Sequence, residues 1–171
     1  MLLEERNKII NIILYILSKA PNKVCDLYTI LKIIYLADKE YLSKYGRKIV
    51  PDDYKALKYG PVASNTYDLI KYENNNWEKN GNDLTLVTNP DIDYLSELEV
   101  ECLTKSIEKN MGLKFNDLKN KSHDEAYKKT WQADKLAKIS EVDIAKAGGA
   151  NNETIEYIEN LLENEQELAW I

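Results

Sequence analysis

Between Ile9 and Leu17 the chain places Ile9, Ile10, Ile12, Ile13, Leu14, Ile16 and Leu17 around most of a helical circumference. An ordinary surface helix carries its apolar residues on one stripe only. A segment of this kind has to be covered on every side, so the remaining elements must wrap around it. The stretch is too short to span a bilayer and is read as the central helix of a core. It ends near Ala20-Pro21-Asn22, where Pro21 disfavours helix in the residue before it.

A second helix is expected from about Asp26 to Tyr45, with Asp26 as N-cap, Leu27, Ile30, Leu31 and Ile34 facing the core, and Gly46 closing it. A third starts at a Ser64 cap and runs to about Glu73, where Asn74-Asn75-Asn76 breaks it. Trp77-Glu78-Lys79 and Leu84-Thr85-Leu86-Val87-Thr88 flank Asn80-Gly81-Asn82-Asp83 and predict a β-hairpin. Two strands alone are marginal, so the segment Ala56 to Lys58 is read as a candidate third strand. Ser96 with Glu99 forms a capping box between the staple positions Leu95 and Val100, and Gly112 ends that helix. A short helix over Asn116 to Lys121 follows. A second box, Ser122 with Glu125, is expected to open a helix through Tyr127 and Trp131, and Ser140 with Asp143 marks a further start. The last helix begins near Asn152 and aligns Ile155, Ile158, Leu162, Glu165 and Ala169.

The fold class is therefore mainly α (α+β): a single compact multi-helix domain with a small antiparallel β-hairpin or three-stranded sheet. Residues 1–147 are read as this helical domain and residues 148–171 as an acidic C-terminal helix, packed on the domain or binding a partner. A chain of 171 residues buries about 70% of its unfolded surface and needs no covalent staple. The cysteines Cys25 and Cys102 lie far apart within apolar helical patterns and read as reduced core thiols. With one His and two separated Cys, no metal-ligand spacing is present, and no metal or cofactor is expected. Acids at Glu4 and Glu5 stand where a signal peptide would carry basic residues, so a cytoplasmic, soluble protein is expected, without membrane contact. Net charge is −6, and residues 141–171 hold one Lys and eight acids. An acidic tail beside a near-neutral body suits a basic protein partner better than a nucleic-acid backbone.

The most specific segment is Tyr54-Lys-Ala56-Leu-Lys58-Tyr59-Gly60-Pro61-Val62-Ala-Ser64-Asn-Thr-Tyr67. Gly60 opens backbone angles closed to other residues and Pro61 fixes its own φ, so Gly60, Pro61 and Val62 are read as a built-in structural turn between an extended segment and a helix. Upstream lies the Leu-, Ile- and Tyr-rich helix ending on Gly46-Arg47-Lys48-Ile49. This order of words over residues 25–75 resembles the SocA-like antitoxin domain, also called Panacea, of bacterial and phage toxin–antitoxin pairs. Ser122-His123-Asp124-Glu125 followed by Trp131 resembles a later segment of the same family.

The resemblance implies a non-enzymatic antitoxin that binds and neutralises a cognate protein toxin, with delivery of the toxin to an ATP-dependent protease as an additional expectation. Tyr28, Lys32, Tyr35 and Lys39 share one helix face, which either contacts a partner, solvates a core edge, or stacks on single-stranded nucleic acid. Together with Lys58 and Tyr59 on the turn, they are the partner-binding candidates. Three helices and a hairpin through residue 88 are also similar to a winged helix, a DNA-binding transcriptional regulator. Its would-be recognition helix carries Asp68 and Glu73 and no Arg, which counts against DNA. A catalytic role for His123 with Asp124, Glu125 and a cysteine is weaker than a structural one, since adjacent helical residues diverge. No catalytic residue is assigned.

Overall fold

The computed structural model describes residues 1–72 and 75–169. Among these residues it contains helices α1 (Leu3–Lys19), α2 (Leu27–Tyr45), α3 (Ser64–Tyr72), α4 (Glu97–Asn110), α5 (Phe115–Ser122), α6 (Glu125–Ala133), α7 (Glu141–Ala147) and α8 (Asn152–Leu168). The strands are β1 (Val24–Asp26), β2 (Tyr54–Leu57), β3 (Gly60–Ala63), β4 (Trp77–Asn80) and β5 (Asp83–Leu86). This is the mainly helical fold with small antiparallel sheets that the sequence predicts. The expected helix end at Glu73, the break at Asn74, and Trp170 and Ile171 at the tail lie outside the described residues.

Every residue of α1 from Ile9 to Leu17 is buried, as the all-round apolar pattern demands. Its one polar member there with an amide, Asn11, accepts from the backbone N–H of Asp91 at 2.7 Å and donates to the Asn7 carbonyl at 2.9 Å, so its burial leaves neither end unpaired. The hub of the fold, however, is α2, which lies against α3, α4, α5, α7, α8 and strands β1 and β3. Its ends are those the sequence marks. Asp26 accepts from Thr29 N at 2.9 Å, and Gly46 closes it at φ 68°.

The third strand of the larger sheet is β1, which adds to β5 with Cys25 opposite Leu84, giving the order β1-β5-β4. The expectation that Ala56 to Lys58 would fill that place is corrected: Tyr54–Leu57 pairs with Gly60–Ala63 in a separate two-stranded sheet. Ala56 faces Pro61 there, and Leu57 faces Gly60. The turn proper is thus Lys58-Tyr59, and Gly60, Pro61 and Val62 form the strand that leaves it, with Gly60 at φ 111°. Pro61 is tolerated because β3 has only one partner strand. The other side of β2 is covered by residues 136–139: Leu136 N donates to Ala56 O and Ile139 N to Tyr54 O.

A second correction concerns Ser122 and Glu125. Helix α5 continues through Ser122, whose hydroxyl bonds back to Lys119 O at 3.1 Å, and the N-cap of α6 is Asp124, which accepts from Tyr127 N at 3.1 Å. Asp caps as well as Ser, and its position fits the break at His123. The other caps fall where expected, Ser96 with Glu99 on α4 and Ser140 on α7. Helix α8 is seated through Ile158, which is buried, and through the Tyr157 hydroxyl, which accepts from Arg47 at 3.0 Å.

Candidate functional site

The Lys58-Tyr59 turn is fixed from beneath by α2. Lys32 is completely buried and its ammonium donates to the Pro61 carbonyl at 2.7 Å. One helical turn earlier, the Tyr28 hydroxyl donates to the Tyr59 carbonyl at 3.0 Å, and its ring lies 5.0 Å from Lys32 Nζ. Among the described residues no carboxylate forms an ion pair with Lys32, so burial pushes its pKa down to about 7. The amine reaches the strand because Gly60 has no side chain: a Cβ there would sit 2.8 Å from Lys32 Nζ and 2.9 Å from Ser122 Oγ.

Further along the same face, Tyr35 is fully buried and its hydroxyl donates to Asp124 Oδ2 at 2.8 Å, while Lys39 pairs with the same oxygen at 2.9 Å. Asp124 therefore caps α6 and ties it to α2 at once. The His123 ring packs against Tyr127, tilted, with centroids 4.1 Å apart, and Tyr127 in turn donates to the Leu57 carbonyl at 2.7 Å. Burial holds the His123 imidazole below its ordinary range, helped by nearby Lys119 and Lys32. Cys25 donates to Met111 Sδ at 3.6 Å, and burial pushes its thiol up to about 12. Burial raises Cys102 as well. Neither thiol is activated as a nucleophile, and among the described residues no group of three His, Cys, Asp or Glu side chains is placed to hold a metal.

On the outer side of this framework is an apolar cleft of about 830 Å³, running from the start of α2 to the Lys58-Tyr59 turn. Phe115 forms one wall, 4.3 Å from the Tyr28 ring and 5.7 Å from Tyr59. Leu31 and Val62 form its floor, and Leu136 stands at the rim. Phe115, Tyr59 and Leu136 remain open to solvent by 46%, 49% and 62%, an unusual grouping for large apolar side chains on one surface.

With this geometry in view, one comparison is decisive: the model of the antitoxin SocA-like family, Panacea domain, matches residues 30–132. The chain belongs to this family. Comparison with curated proteins and with solved structures gives no match. The Panacea match opens inside α2 and closes in α6, so it takes in Lys32, the turn, the Asp124 node and Phe115, while α1, α7 and α8 lie outside it. No helix among the described residues is long and apolar enough to cross a membrane.

Within this Panacea framework the six partner-binding candidates separate into two groups. Lys58 and Tyr59 are exposed at the turn and Tyr28 lines the cleft. Lys32 and Tyr35 are interior, and Lys39 is spent on Asp124; the expectation of one outward-facing stripe is corrected, because the β2–β3 hairpin and the α5–α6 junction cover it. Four residues of this region carry little local signal: Asp124 competes with Ser122 for the helix cap, Phe115 stands out only as the sole Phe of the chain, Tyr127 is marked only as a helical residue, and Leu136 is unmarked.

Proposed function

We propose that this protein is the antitoxin of a toxin–antitoxin pair and neutralises its cognate protein toxin by binding it in the cytoplasm, without making or breaking a covalent bond. The observation that carries this reading is the Panacea match over residues 30–132. The form of the surface supports a contact mechanism. Tyr28, Tyr59 and Phe115 present aromatic side chains from a framework whose backbone is pinned by Lys32 and Tyr127, and pre-positioned aromatic anchors give up little entropy on binding. Cysteine thiols held protonated by burial also fit a binder better than a catalyst. The exposed acids of α8 favour encounter with a basic toxin. Bound there, the antitoxin occludes the toxin's working surface or holds an inactive conformer.

Cells expressing the toxin encoded beside this gene are expected to grow only when this protein is co-expressed. Toxin abundance, read by immunoblot, separates two routes: unchanged toxin with restored growth supports neutralisation by occupancy, and falling toxin supports delivery to an ATP-dependent protease. Absence of rescue together with absence of physical association overturns the antitoxin reading.

A further inference from the structure

Leu136 has a left-handed backbone, φ 69°, although it is neither Gly nor Asn. A Cβ-bearing apolar residue in that conformation is strained, and the conformation is enforced here by the pairing of residues 136–139 with β2. The side chain gains little in return, since it is 62% exposed. Strain of this kind, held by the surrounding structure without a packing reward, points to a binding role. Leu136 stands at the rim of the cleft that Phe115 and Tyr28 enclose.

The charges around the cleft are divided between its ends. At the turn end, the exposed Lys58 has no ion-pair partner among the described residues and lies 5.2 Å from the Tyr59 ring. At the other end, β1 and β5 place Asp26 opposite Asp83. Asp26 is engaged by Thr29 N and Thr29 Oγ1, but the exposed Asp83 carboxylate makes no hydrogen bond or ion pair among the described residues. An occupant with one charge sign throughout would be repelled at one end.

We propose that this cleft receives an apolar segment of the toxin, laid on Phe115, Tyr59 and Leu136, with a carboxylate at the Lys58 end and a cation at the Asp83 end. The proposal rests on the antitoxin reading above and adds to it the contact surface and the charge pattern of the bound segment. The apolar part supplies affinity from central anchors, and the two charges set register and orientation. The cleft volume lies in the range that takes a few side chains rather than a whole helix face.

The test uses the full chain and the purified protein product of the neighbouring toxin gene, with binding measured by titration calorimetry and folding checked by thermal melting. Phe115→Asp is expected to weaken binding about thirtyfold or more, while the melting temperature falls only by the few degrees that losing a half-buried ring costs. Leu136→Gly is the more discriminating variant: it relieves the left-handed strain, so melting is expected to rise by about 2–4 °C while affinity falls. Lys58→Glu and Asp83→Lys are each expected to weaken binding, by a factor that shrinks with added salt. If the unaltered chain binds and Phe115→Asp and Leu136→Gly bind equally well, this proposal is overturned and the antitoxin reading stands. If the unaltered chain does not bind, both are overturned.

Discussion

Replacing Gly60 by Ala is expected to lower the midpoint of thermal unfolding by about 10 °C, a large effect for adding one methyl group. Two causes act together. The backbone at φ 111° belongs to a region that side chains with a Cβ rarely occupy, and the new Cβ would lie 2.8 Å from Lys32 Nζ and 2.9 Å from Ser122 Oγ. Lysine side chains usually swing away from such a contact, but this one is buried and holds the Pro61 carbonyl, so moving it strands a buried acceptor. Both costs arise from the Cβ itself. Gly60→Val is therefore expected to be only moderately worse than Ala, although Val is the better strand former. A stepwise loss that tracked side-chain size, with Ala near the unaltered protein, would show that the turn is not held as described.

The second large effect is expected at Asp38. Its buried carboxylate, on α2, accepts from the Tyr54 hydroxyl at 2.6 Å and from the backbone N–H groups of Ile49 and Val50. It thereby pins β2 and the loop after α2 to the hub helix. Asp38→Ala leaves three buried donors unpaired and is expected to cost about 3–5 kcal/mol in chemical denaturation. The carboxylate also has a pH signature. Burial pushes its pKa from 3.8 up to about 6, the hydrogen bonds only partly offsetting the desolvation. Between those values the folded state binds more protons than the unfolded chain, so this group's contribution falls as pH rises from about 4 to 6, by up to about 3 kcal/mol. Other carboxylates, such as Asp53 and Glu40, are shifted the opposite way. The difference between the unaltered protein and Asp38→Asn isolates the effect: it is expected to favour the unaltered protein most near pH 4 and to shrink toward pH 6. A difference that grows with pH would contradict the assignment.

These residues also show what a sequence discloses and what it withholds. Features set by neighbours within a few positions were legible: the all-round apolar helix over Ile9 to Leu17, the caps at Asp26, Ser96 and Ser140, and the Asn80 to Asp83 hairpin. Where two local rules competed, at Ser122 and Asp124, the choice was made by Tyr35 and Lys39, far away in the chain, which engage the aspartate. Pairing of β1 with β5 was hidden because a three-residue strand carries almost no periodic signal. The interior position of Lys32 and Tyr35 is hidden for a related reason. Helical spacing tells which residues share a face, but whether that face meets water depends on what packs over it. Asp38, read only as a helical residue, gave no sign of its three donors. The candidate site was legible at Tyr28, Lys58 and Tyr59, which lie in or beside the family's recognisable words, and invisible at Leu136, whose significance is conformational.

The central claim is that this protein inactivates its target by occupying it. The most direct measurement is a titration of the purified toxin's activity with increasing amounts of this protein. Occupancy predicts a linear fall to an end point at a fixed molar ratio, with the masses of both chains unchanged. Complete loss of toxin activity at a small fraction of that ratio, or a change in the toxin's covalent mass, would mean that the protein turns over and would contradict the account.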